Sequence, residues 1–208
     1  MSVIKKIEIG DPSMTLPHKK THSLKISLFG FFFLFLGLIL LDQSTKYWSE
    51  KKFLLHTDPF EYHNYFSQAQ KVFLIGQDHW LNFSLTYVRN TGAAWGFLGN
   101  LPESIRPYFF YVLTAIALIF ILYLFFKTPP KNTLYRLGVA LIFSGAMGNY
   151  IDRVWLNYVI DWIHFDWKIF FWQYDFPVFN VGDCAVVTGA FLLMFDMGIK
   201  KKSPSHPR

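Results

Sequence analysis

The sequence predicts a membrane α-helical protein, a four-span transmembrane bundle with a small extracytoplasmic β-sheet and a loop over its outer end. Three observations predict it. The apolar residues come in long uncharged runs rather than at helical or strand period. Lys and Arg gather in alternate connecting segments. One connecting segment alternates apolar and polar residues as a strand does. The composition agrees: 52% hydrophobic, 20% aromatic and only 16% charged, where a soluble domain carries about 25% charged residues. Disorder and collagen-like repeats are excluded. Cys184 is the single cysteine, so a disulfide scaffold is excluded too. The net charge of +6 would suit a nucleic-acid partner, but these charges cluster at the ends of apolar runs, and no nucleic acid is expected.

Taken in order, residues 1–25 form a polar cytoplasmic extension with Pro12 and Pro17. The first span covers about 26–47, and Ile26–Leu41 within it is uncharged. A basic segment before an apolar run could be a secretory signal. No small-x-small cleavage pattern follows, however, and the run ends in LDQSTKYW, so it reads as a retained anchor. An outer β region follows over about 53–98. In LNFSLTYV, 81–88, apolar residues alternate with polar ones, which predicts a half-buried strand. NTG at 90–92 reads as a turn and AAWGF leads back toward the membrane. A strand edge here could hold an extended peptide, or the strand could simply cover the loop.

The second span, 107–126, is uncharged for twenty residues and alone meets the length of a bilayer crossing. The short KTPPKN loop separates it from a third span over 135–152, uncharged from Leu137 to Ile151. The outer loop 153–180 is densely aromatic, as an interfacial belt is. The fourth span, 181–199, contains the uncharged run Cys184–Phe195, and residues 200–208 form a basic tail. Residues 26–199 therefore make one four-span domain. Twelve Lys and Arg lie before the first span, between the second and third, and after the fourth. The other eight are spread over the loops 42–106 and 152–183. Both termini are thus expected in the cytoplasm and both long loops outside.

That alternation brings acids together. The first span ends at Asp42, the third ends at Asp152, and the fourth begins at Asp183, all at the outer level. Asp161 follows nine residues after Asp152, inside the apolar string YVIDWI, where an acid is costly unless paired or functional. Asn90, Asn149, Asn180, Lys46 and Arg153 lie near the same level and suit carboxylates as neighbours. Each acid alone has a plainer reading: Asp183 could cap the fourth helix and Asp152 could pair with Arg153. Four acids converging on one level favour a site.

Five strings now stand in order: LDQSTK at 41–46, NTGAAWG at 90–96, GAMGNYIDRV at 145–154, YVIDWI at 158–163 and FPVFNVGDC at 176–184. Together they resemble the bacterial lipoprotein signal peptidases, also called signal peptidase II, over residues 26–199. The resemblance implies an intramembrane aspartic endopeptidase. Such enzymes remove signal peptides from diacylglyceryl-modified prolipoproteins, cutting before the lipid-bearing Cys. It implies a catalytic pair at Asp161 and Asp183, with Asp152 as a supporting acid. Asn149, Arg153 and Asn180 match residues lining the site, and Asp42, Lys46, Asn90 and Gly92 match residues shaping it. It implies prolipoprotein substrates and membrane lipids as partners, a monomer, no cofactor and no metal. The location it implies is the bacterial cytoplasmic, or inner, membrane with the site at the outer leaflet. The chain departs from the family pattern with Gly182 for Ala, Cys184 for Ser, Trp95 and Trp162 for Phe, and Ser144 for Gly.

Two other classes compete. A small transporter or channel with interfacial carboxylates would place its acids deeper in the spans and usually carries an internal repeat. A metalloprotease would need a ligand string, but His56, His63, His79 and His164 form no H-E-x-x-H. Glu61 lies between His56 and His63 in what reads as a solvated loop. A thiol protease would need Cys184 with His164, a pair that no spacing singles out. A reporter fused after Lys202 is predicted to be cytoplasmic, and a tag near Gly76 to be accessible from outside. Opposite placement of both tags would overturn the orientation.

Overall fold

A computed structural model describes residues 28–54, 72–75, 80–92, 102, 104–169 and 171–202. Along the chain it has α1 (Leu28–Leu54), β1 (Val72–Ile75), β2 (Leu81–Asn90), α2 (Arg106–Lys127), α3 (Thr133–Leu156), β3 (Val159–Ile169), β4 (Trp172–Asp175) and α4 (Val181–Lys202). The sequence features at His56, Glu61, His63, Gly76, His79 and 93–97 lie outside the described residues, as do 1–25 and 203–208.

Helix ends follow local chemistry. Pro107 stands in the first turn of α2, where its missing N–H would have no helical partner anyway. Two prolines, Pro129 and Pro130, follow its end. Asn157 closes α3 in the left-handed region at φ 67°, with its N–H on the Arg153 carbonyl. That turn sends the chain straight into β3. At the start of α4, Asn180 Oδ1 accepts the Asp183 N–H at 2.9 Å and the Asp183 carboxylate accepts the Asn180 N–H at 3.1 Å. This reciprocal pair is a capping box.

Three of the helices are long and apolar enough to cross a membrane: Leu28–Phe53, Pro107–Lys127 and Val181–Ile199. The third expected span falls on α3, which is 24 residues long but carries Arg136, Asn149, Asp152 and Arg153. It does not reach the same apolarity among the described residues. The physical reason is its position. α3 packs against α1, α2 and α4, so much of its surface meets protein instead of lipid. Small residues let α3 and α4 approach closely. A Cβ on Gly145 would overlap the Gly182 carbonyl, and one on Gly138 would come within 2.9 Å of the Gly189 carbonyl. α1 is also longer than its expected span and continues two turns beyond 47 to Leu54.

At one end of the bundle the start of α1, the end of α2 and the start of α3 share a core of Phe31, Phe125, Val139 and Ala140. The buried Arg136 guanidinium lies over the Phe31 and Phe125 rings at 4.9 and 4.3 Å. The opposite end carries the sheet, four antiparallel strands in the order β1-β2-β3-β4. The expected strand at 81–88 is present as β2, but its buried face is the polar one. Asn82, Ser84 and Thr86 are buried while Leu81, Phe83, Leu85 and Tyr87 are only half-buried. Hydrogen bonding explains this. Ser84 Oγ meets His164 Nδ1 at 3.1 Å, Asn82 donates to Asp166, and Ser49 of α1 donates to the Thr86 carbonyl. The outer face stacks Phe83 on Phe165 at 4.6 Å. A register shift between Leu85 and Val88 places Val88 opposite Asp161, as bulges do beside functional residues.

Candidate active site

The site is built around a buried ammonium. Lys46, 1% exposed, lies one helical turn after Asp42 on α1. Its Nζ meets Asp42 Oδ2 at 2.7 Å, Asp152 Oδ2 at 2.9 Å and Asn149 Oδ1 at 2.8 Å. An ammonium has three donors, and here each has an acceptor. Asp42 also accepts the Gly182 N–H of α4 at 2.7 Å. Asp152 also accepts the Ile160 N–H at 3.1 Å, one residue before Asp161. Asp42 and Lys46 thus tie α1 to α3 and α4, and Asp152 pins the start of β3. Gly182 has little spare room, because a Cβ there would lie 3.0 Å from both Asn180 Oδ1 and the Gly145 carbonyl.

The other two acids meet through Asn180. Its Nδ2 donates to Asp161 Oδ1 at 2.6 Å while its Oδ1 takes the Asp183 N–H. Asp161 Oδ2 accepts Asn90 Nδ2 at 3.0 Å, and Asp183 Oδ1 accepts Asn149 Nδ2 at 2.9 Å. Asn90 Oδ1 holds the Gly92 N–H at 3.0 Å, so the turn at Gly92 fixes which way the Asn90 amide points. Arg153 reaches toward the Asn149 and Gly92 carbonyls at 3.4 Å each and lies over the Phe110 ring. Burial, then the nearby Asp183 charge, pushes the Asp161 carboxyl up to about 7. The Asn90 and Asn180 amides and the Lys46 charge pull the other way without prevailing.

All ten residues singled out in the sequence therefore fall in one connected cluster: Asp42, Lys46, Asn90, Gly92, Asn149, Asp152, Arg153, Asp161, Asn180 and Asp183. Gln43 belongs with them and was not singled out. Its Nε2 donates to Asp152 Oδ1 at 2.8 Å and to the Gly148 carbonyl at 3.0 Å. Its place inside LDQSTK, beside Asp42, was the available signal. Gly148 is also structural, since a Cβ there would collide with the Asp42 carboxylate. His164 is committed to the sheet, buried between Ser84 and the Asp175 carboxylate.

A family profile described as Signal peptidase (SPase) II matches residues 34–199. The chain belongs to the signal peptidase II family. Among family members, a lipoprotein signal peptidase of Psychromonas ingrahamii is 35% identical over 169 residues, covering 80% of this chain and 83% of its own. One of Pasteurella multocida is 34% identical over 179 residues, covering 85% and 94%. A solved structure titled as a bacterial membrane enzyme, obtained by the in meso method at 2.3 Å resolution, is 29% identical with a TM-score of 0.64. It covers 88% of this chain and 98% of its own. Signal peptidase II is a protease family, and the apolar helices fit a membrane protein of that family.

Lys46→Met is predicted to destabilise the protein by about 3–5 kcal/mol, because it leaves Asp42 and Asp152 buried without their cation. Thermal unfolding in detergent checks this, and an unchanged midpoint would contradict it.

Proposed function

We propose that this chain is an intramembrane aspartic endopeptidase that removes the signal peptide from diacylglyceryl-modified prolipoproteins, cutting before the lipid-bearing Cys. In this reading Asp161 and Asp183 form the catalytic pair. The observation that carries it is the single Asn180 side chain that bonds both residues, one through each end of its amide. Two acids this close do not both ionise cheaply, so they share a proton. The ionised member takes a proton from water as that water attacks the scissile carbonyl. The protonated member hydrogen-bonds the carbonyl oxygen, and the C–N bond then breaks as the leaving amine gains a proton. Neither a covalent intermediate nor a metal is required.

Asp152 is a supporting acid in this scheme, because both its oxygens already hold Lys46, Gln43 and the Ile160 N–H. α3 serves as a fourth crossing helix shielded by its neighbours, which puts both termini in the cytoplasm and the pair at the outer leaflet of the bacterial inner membrane. The substrate's acyl chains stay in lipid while its peptide reaches the pair, and the enzyme works as a monomer. The name lipoprotein signal peptidase carried by relatives supports the substrate class.

Asp161→Asn and Asp183→Asn are each predicted to lower turnover of a lipid-modified prolipoprotein by several orders of magnitude, the scale seen when one member of a catalytic unit is removed. Both variants should remain folded in the membrane. Asp152→Asn should impair less. Cys184→Ser should keep activity, and thiol-blocking reagents should not inhibit. Substantial turnover in either dyad variant would sink the assignment, and a Cys184→Ser protein that binds but does not cut would point to thiol chemistry.

A further inference from the structure

The two acids sit in unlike surroundings, and we propose that these fix their roles: Asp161 carries the shared proton and Asp183 is the ionised base. This rests on the dyad reading above and assigns its two members.

Asp183 lies in the first turn of α4, where unpaired backbone N–H groups and the helix dipole favour an anion. Its carboxylate takes the Asn180 N–H and Asn149 Nδ2. The orientation of Asn149 is not free. Lys46 can only donate, so the Asn149 oxygen must face Lys46 and its NH₂ must face Asp183. Asn149 is thereby a positioning residue for an ionised Asp183. Asp183 also keeps partial contact with solvent.

Asp161 also accepts two side-chain amides, from Asn90 and Asn180, but it lacks the helix N-terminus and the solvent contact. It lies on strand β3, away from any helix N-terminus, and is 2% exposed. The charged groups around the pair are Lys46 of α1, Asp152 and Arg153 of α3, and each acid for the other. The Cys184 thiol adjoins Asp183, Asp42 of α1 holds the neighbouring Gly182 N–H, and β2 contributes the neutral amide of Asn90. Burial and the Asp183 charge hold the Asp161 carboxyl up to about 7, so it keeps its proton below that pH. In the reaction water gives its proton to Asp183 as its oxygen bonds the carbonyl carbon. The Asp161 O–H donates to the carbonyl oxygen. The leaving amine then takes a proton from Asp183, and the pair again holds one.

The pH dependence of kcat/KM tests this. Activity should fall on the alkaline side as Asp161 loses its proton. Asn90→Leu removes a donor that favours ionised Asp161. It should move that alkaline limb up by about half to one pH unit. Asn149→Leu removes a donor to Asp183 and should leave the alkaline limb in place. An alkaline limb that moves in Asn149→Leu and not in Asn90→Leu would exchange the two roles and overturn the proposal, and so would lost rate with the limb unmoved in both. If a variant is too slow to titrate, infrared spectroscopy of the intact protein in mildly acid solution decides. The stretch of the protonated dyad carboxyl should vanish in Asp161→Asn and persist in Asp183→Asn, and the converse would overturn the proposal. Failure of the dyad reading shows separately, as turnover surviving Asp161→Asn or Asp183→Asn.

Discussion

The site depends on one buried cation. An ammonium taken out of water is unfavourable unless every proton finds an acceptor, and Lys46 satisfies that condition with Asp42, Asp152 and Asn149. Because these acceptors lie on α1 and α3, the requirement becomes a geometric constraint on the bundle. Asp42 extends it to α4 through the Gly182 N–H, and Gly148 leaves the space that Asp42 needs. The constraint reaches both candidate carboxylates, Asp183 through Asn149 and Asp161 through Asp152 and the Ile160 N–H. Polar groups in a membrane bundle are costly, and here they form a connected network in which the members named have partners.

The same network explains why α3 falls short of the apolarity of the three helices able to cross a membrane. It supplies Asn149, Asp152 and Arg153, and it packs against the other three helices, so its polar residues turn inward. A lipid-facing helix could not hold them. The left-handed Asn157 then folds the chain back over the helix end, which returns Asp161 to within reach of Asn180 after only four residues.

Much of this was legible in the sequence. The expected alternation of spans brings Asp42, Asp152 and Asp183 to one level, and in the structure Asp42 and Asp152 both hold Lys46, which Asn149 links to Asp183. The pairing of Asp161 with Asp183 was not legible from spacing, because Asp152 was equally well placed; it came from the resemblance of the strings around them. In the sequence β3 reads as part of the outer loop 153–180. Val159, Ile160 and Asp161 are all buried, so the segment carries no period of two to mark it as a strand. The alternation in β2 gave the strand but not its orientation. Period two separates the faces, and the hydrogen bonds of Asn82, Ser84 and the Thr86 carbonyl select the buried one. α3 reads as a span from its uncharged middle, and such a run does not reveal how far protein instead of lipid surrounds it.

In the proposed reaction this network activates water against one peptide bond of a lipid-anchored substrate. The most direct measurement is to incubate the purified full-length protein in lipid bilayers with a diacylglyceryl-modified prolipoprotein and map the new termini by mass spectrometry. The expected result is release of the signal peptide with the lipid-bearing Cys as the new N-terminal residue. Cleavage elsewhere in the chain, or none by folded protein, would contradict it.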